Sequence, residues 1–139
     1  MICISKAQVS LEYLLLLGAF FSFLLLFFPL LQQTYYAGIF AFDVRAAQSF
    51  SDSFQSSVRE FSVLGDGSKR ILEASPATEW KIEAEKNILK IEIFQEKLKK
   101  KKEIKRELVH PVSPINFSAK KPFSVFFEKQ DGKILIEHD

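Results

Sequence analysis

Residues 6–24 read KAQVSLEYLLLLGAFFSFL. A glutamate, Glu12, stands at the mouth of an apolar run that carries no charge from Tyr13 to Phe42. Tyr13–Leu31 is rich in Leu and Phe. As a helix it spans about 28 Å at ~1.5 Å per residue, close to the hydrocarbon thickness of a bilayer. Tyr13 at one end, and Tyr35 and Tyr36 beyond the other, sit where interfacial aromatics sit. The segment after Leu64 is too short to bury so many large apolar side chains all round, so a membrane helix is expected here rather than a core helix. Lys6 and the initiator amine favour a cytoplasmic N-terminus. The C-terminal domain is then expected on the extracytoplasmic side, as a single-pass membrane protein.

The whole chain has 139 residues, with 19 Lys/Arg against 17 Asp/Glu. Most of those charges follow Gly65, so an apolar segment is joined to a strongly charged domain. Cys3 is the only cysteine, which excludes a disulfide within the chain.

Past the apolar run the periodicity changes. Phe40, Val44, Ala47, Phe54, Val58 and Phe61 recur every three or four residues, and Ser51 fills the remaining slot. Asp43, Gln48, Asp52, Gln55, Arg59 and Glu60 mostly fall elsewhere, which describes an amphipathic helix. Gly65-Asp66-Gly67 is expected to stop it. The two helical zones join near Gln32, and Pro29 is expected to kink the rod by removing one backbone donor.

After Gly65 the pattern alternates. Trp80, Ile82 and Ala84 interleave with charged residues, as do Leu89, Ile91 and Ile93, while Phe123, Val125 and Phe127 alternate with Ser124, Phe126 and Glu128. Gln130-Asp131-Gly132 followed by Lys133-Ile134-Leu135-Ile136-Glu137 is a hairpin signal. Pro111, Pro114 and Pro122 are expected to punctuate a loop. The expected fold class is α+β: a long N-terminal helix, transmembrane then amphipathic, packed on a C-terminal antiparallel sheet. The expected division is a leader at 1–7, a transmembrane helix at 8–31, an amphipathic helix at 32–64 and a β-rich head at 65–139.

Gln8-Val9-Ser10-Leu11-Glu12-Tyr13, directly before an apolar helix and preceded by Lys6-Ala7, resembles the class III signal peptide of archaeal type IV pilin-like proteins. The resemblance is close over residues 6–13, and the head matches no pilin head. It implies cleavage between Ala7 and Gln8 by a prepilin signal peptidase on the cytoplasmic side, with the helix retained. It implies a recognition and assembly motif of Lys6, Gln8, Ser10, Glu12 and Tyr13, with Pro29 at a familiar kink position. It also implies other pilin-like subunits as partners, and a cell-surface filament as the destination. Glu12 of one subunit would then meet the new amine of Gln8 on a neighbour. Two plainer readings stay open at this point. An acidic residue in the first helical turn suits the helix dipole, and Ser5-Lys6-Ala7-Gln8 reads as a capping box; both fit an uncut anchor.

Lys97, Lys99, Lys100, Lys101 and Lys102 form a basic run that reads either as a weak polyanion contact or as a solvated hairpin tip. Asn116-Phe117-Ser118 is an N-glycosylation sequon, expected in a loop. His110 and His138 lack metal-ligand spacing, and neither a phosphate loop nor a catalytic triad is legible. The serines of residues 49–57 read as the polar face of a helix. No enzymatic activity, metal or cofactor is expected. The alternative to a filament subunit is a single-pass anchored extracellular module that binds an anionic polymer and never polymerises.

Overall fold

The computed structural model describes the backbone of residues 3–139 and the side chains of residues 8–139. One helix, α1, runs Cys3–Val63 and continues through Pro29. Five strands follow: β1 (Lys69–Ala74), β2 (Glu79–Gln95), β3 (Lys100–Ala119), β4 (Phe123–Gln130) and β5 (Lys133–His138). The chain divides into two compact units, Met1–Tyr35 and Tyr36–Asp139.

The second unit is built as the stripe requires. Ala47, Phe50, Phe54, Val58 and Phe61 of α1 are buried against Trp80, Ile82, Ile91, Ile93, Val125 and Phe127 of the sheet. Each such Val, Ile or Phe side chain contributes roughly 1.5–3 kcal/mol on leaving water. The aromatics meet edge to face, Phe54 on Phe127 at 4.9 Å and Phe50 on Phe123 at 5.6 Å between ring centres. That geometry places the positive ring edge on the negative ring face. Ser51 and Ser57 are also buried, so Ser57 belongs to the core face and not to the expected polar face. Both hydroxyls donate back to their own helix, Ser51 to the Gln48 carbonyl at 2.7 Å and Ser57 to the Ser53 carbonyl at 2.8 Å. A hydroxyl satisfied in this way is cheap to bury.

The helix stops at Val63, next to the glycines expected to end it. Its last turn holds no basic residue. Lys129 of β4 supplies one instead, its ammonium donating to the carbonyls of Ser62 at 3.2 Å and Leu64 at 2.6 Å. These are the carbonyls a helix end leaves without partners, and a cation there also suits the dipole.

The sheet order is β1-β4-β5-β3-β2. The expected α+β class holds. The β1–β4, β4–β5 and β2–β3 pairs are antiparallel, and a single register pair, Val112 with Ile134, joins β3 to β5 in parallel. The hairpin at Asp131-Gly132 forms as expected. Both residues have positive φ, 51° and 72°, which is the two-residue turn whose twist matches paired strands.

The two runs around Trp80 and Ile91 are one long strand, and the structure bends it. Lys86 has φ 52°. From the pair Ile88–Glu107 to the pair Ala84–Ile115, β2 advances four residues while β3 advances eight. The extra β3 residues form the bulge that holds Pro111. Pro111 and Pro114 therefore lie inside β3 and not in a loop; of these three prolines, Pro122 alone lies between strands. A residue without an N–H is tolerated where the ladder is already interrupted. The sequon follows the same correction, because Asn116 is an exposed residue of β3 opposite Glu83.

Candidate assembly segment and head surface

From Gln8 to Tyr35 every residue of the helix is solvent-exposed, with Tyr13 at 75%, Leu25 at 76% and Leu26 at 75%. Nothing in the first unit covers it. A helix this long and apolar, exposed on all sides, is compatible with a single membrane span. Its side-chain hydroxyls agree with that setting. Ser22 donates to the Gly18 carbonyl at 2.8 Å and Thr34 to the Leu30 carbonyl at 2.9 Å. Neither needs water or a neighbour to be satisfied.

Gln8 and Glu12 are four residues apart, so they share a helix face. Ser10 and Tyr13 belong to the same exposed turns. Among the described residues Glu12 makes no hydrogen bond and no ion pair. Lys6 and the Ala7 side of the Ala7–Gln8 junction fall where side chains lie outside the described residues. The helix geometry therefore groups Gln8, Ser10, Glu12 and Tyr13 at one end of an unpartnered apolar segment, and Pro29 near the other.

The head carries two polar constructions that sequence reading did not reach. The first is Asp43. Its place in the pattern suggests the wet side of the helix, yet its exposure is 0%. Its carboxylate accepts from the backbone N–H of Ala77 at 2.9 Å, the N–H and hydroxyl of Thr78, and the indole N–H of Trp80 at 3.2 Å. This one side chain pins the β1–β2 connection and the start of β2 onto the helix.

The second construction is a lattice of charges on the sheet face turned away from the helix. The Lys90 ammonium lies 2.7 Å from Glu92, 3.8 Å from Glu103 and 3.9 Å from Glu83. Glu83 and Lys90 are seven positions apart in one strand, roughly 23 Å if it were straight at ~3.3 Å per residue. The bend at Lys86 brings them together, and the lattice clasps it. Lys101 adds a second cation on Glu92 at 2.8 Å. Hydrogen bonds from Lys101 and then Lys90 hold the Glu92 carboxyl down at about 2, against an ordinary 4.5. Glu103 is lowered as well, chiefly by its bond to Lys105. A depressed carboxylate stabilises the fold above its unfolded value and loses that contribution as pH falls through its folded value. Between about pH 4.5 and 2, wild type therefore loses stability faster than Glu92→Gln. Urea midpoints measured across that range check this, and added salt should narrow the gap.

The basic run splits in this geometry. Lys101 belongs to the charge lattice. Lys97 and Lys99 lie in the four-residue turn between Gln95 and Lys100, and Lys99 has φ 50°. Lys97, Lys99, Lys100 and Lys102 are exposed and, among the described residues, form no ion pair. His138 stacks on Phe117 at 4.1 Å between ring centres. Among the described residues no cluster of His, Cys, Asp or Glu fits a metal ion. An open groove of about 920 Å³ lies at the β2 bend, lined by Glu83, Lys86, Lys90 and Asn116 among others. No family model, curated protein or solved structure matches the chain.

Proposed function

We propose that the chain is a subunit, structural or minor, of an archaeal type IV pilus-like surface filament, held in the membrane by its apolar helix before assembly. The observation that carries the reading is the exposed apolar helix with a carboxylate, Glu12, at its N-terminal end that has no partner among the described residues. A carboxylate central in a membrane helix costs of order 2.5–3.5 kcal/mol on insertion scales, and less toward the helix end, where Glu12 stands. A chain retains such a cost where the charge finds a partner that the isolated chain does not contain. After cleavage before Gln8, that partner is the α-amine of a neighbouring subunit. The apolar helices, with no cover of their own, supply the remaining assembly energy by packing on one another.

In this reading a prepilin-type signal peptidase cuts the leader and the head lies outside the cell. The head is then a passive, well-packed display domain; its lattice and its buried carboxylate stabilise shape. The second reading is a membrane-anchored module that holds an anionic polymer and never polymerises, and the unpaired lysines of the β2–β3 turn favour it. Shearing surface filaments from cells that carry a labelled copy separates the two. The filament reading expects the label along sheared fibres in electron micrographs. A label confined to the membrane fraction, with no fibres bearing it, rejects that reading.

A further inference from the structure

We propose that Lys97, Lys99, Lys100, Lys102 and Lys121 form a contact surface for the anionic headgroups of the membrane in which the chain is anchored. The proposal rests on the anchoring part of the reading above and not on polymerisation.

In the sequence the basic run looks diluted by Glu96, Glu103 and Glu107. The structure sorts these charges. Glu103 is engaged by Lys105 at 2.8 Å and approached by Lys90 at 3.8 Å. Glu92 takes Lys101 at 2.8 Å. Those acids serve the lattice and leave the turn lysines uncompensated. Lys120 is held by Glu79 at 3.0 Å. Its neighbour Lys121 is exposed and, among the described residues, has no acidic partner. Glu96, in the turn itself, and Glu107, on β3, remain as opposing charges, and Glu96 shares a small cavity with Glu79 and Lys120. Glu73 and Asp139 line a groove with Pro122, Phe123 and Ser124, next to Lys121 in the chain.

The position of these lysines within the second unit selects the partner. Phe94 and Glu96, at the base of the turn, share a small cavity of about 170 Å³ with Ala77, Thr78, Glu79 and Lys120. Ala77 and Thr78 are the residues pinned by Asp43. Asp43 lies seven residues after Tyr36, the first residue of the unit. The lysine turn is therefore fixed at the end of the unit where the chain enters it from the apolar segment. Lys129 is at the opposite end, on the last carbonyls of α1. A cluster of lysines on a folded surface that comes close to an anionic leaflet is attracted by it, and the attraction decays within a Debye length. A free polymer would place no such demand on which end of the domain carries the charge.

The test uses the full chain reconstituted in two sets of vesicles, phosphatidylcholine alone and phosphatidylcholine with about 30% phosphatidylglycerol. Flotation first establishes insertion in each. Lysine acetylation rates are then read residue by residue by mass spectrometry. The expected result is an about three- to tenfold slowing at Lys97, Lys99, Lys100, Lys102 and Lys121 in the anionic vesicles only, abolished at roughly 0.5 M salt. Lys69 and Lys133 serve as references and keep their rates. Equal rates in both vesicles overturn the lipid contact and leave the anchor standing. A chain that floats with neither vesicle overturns the contact and the anchor together. Slowing by added heparin with none from anionic lipid overturns the lipid contact and assigns the lysines to a polymer.

Discussion

Asp43→Ala lowers the unfolding free energy of the head by about 3–5 kcal/mol, much more than any surface substitution. The carboxylate is the acceptor for donors on Ala77, Thr78 and Trp80. Asp43, Thr78 and Trp80 are all buried, so water does not replace it. Removing it leaves those donors desolvated and unpaired, and opens a gap between helix and sheet. Asp43→Asn falls between, because it keeps one acceptor oxygen but turns an amide N–H₂ toward a donor. Thr78→Val removes one donor only and costs about 1–1.5 kcal/mol. Trp80 is the only tryptophan and donates to Asp43, so its emission in urea titrations of the detergent-solubilised chain reports the site directly. An Asp43→Ala midpoint no lower than that of Thr78→Val would sink the pin as a stabilising element.

On the filament reading, Glu12→Gln is expected to insert in the membrane as wild type does and to enter filaments poorly. If Glu12 serves only the helix dipole, the change costs about 0.3–1 kcal/mol and alters little. If it neutralises a neighbour's amine inside an apolar bundle, the change strands that amine, and breaking a buried pair costs ~3–5 kcal/mol. At about 1.4 kcal/mol per factor of ten, the second case lowers incorporation by more than roughly a hundredfold. Glu12→Asp rescues part of the loss, since its shorter side chain reaches less far. The ratio of each variant in sheared filaments to that in membranes is the readout. Equal ratios for wild type and Glu12→Gln reject the charge pair and leave Glu12 as a helix-end residue of an anchor.

What sequence reading reached and missed has physical causes. The apolar run and the stripe from Phe40 to Phe61 were legible because burial imposes a period, and Asp131-Gly132 because positive φ at both positions selects those residues. The strands around Trp80, Ile91 and Val125 showed the alternation of one covered face. β1 went unread: in Lys69–Ala74, KRILEA, the apolar Ile71 and Leu72 are adjacent, so no alternation shows, and no position of the strand is fully buried. β3 was hidden by its lysines and prolines, since a bulge supplies the room for Pro111 and only the fold reveals the bulge. Asp43 was misplaced because two of its four donors are backbone N–H groups, which every residue has, and the other two, on Thr78 and Trp80, lie more than thirty residues along the chain, where no local pattern marks them. The Glu83–Lys90 contact was invisible for a related reason. A strand period places residues on faces, but it does not announce a bend that returns the strand on itself. At the N-terminus the reading came from a motif, Gln8 to Tyr13. The structure adds that the helix behind it is uncovered and that its carboxylate has no partner among the described residues.

The most direct measurement is the mature N-terminus of the chain isolated from its native membrane, read by intact-mass and terminal-peptide mass spectrometry. The filament account predicts a chain that begins at Gln8, having lost Met1–Ala7 and with them Lys6, so that a formal charge of +2 falls by one. A chain that retains Met1–Ala7 contradicts it, as does one cut after Leu31 with its apolar helix removed.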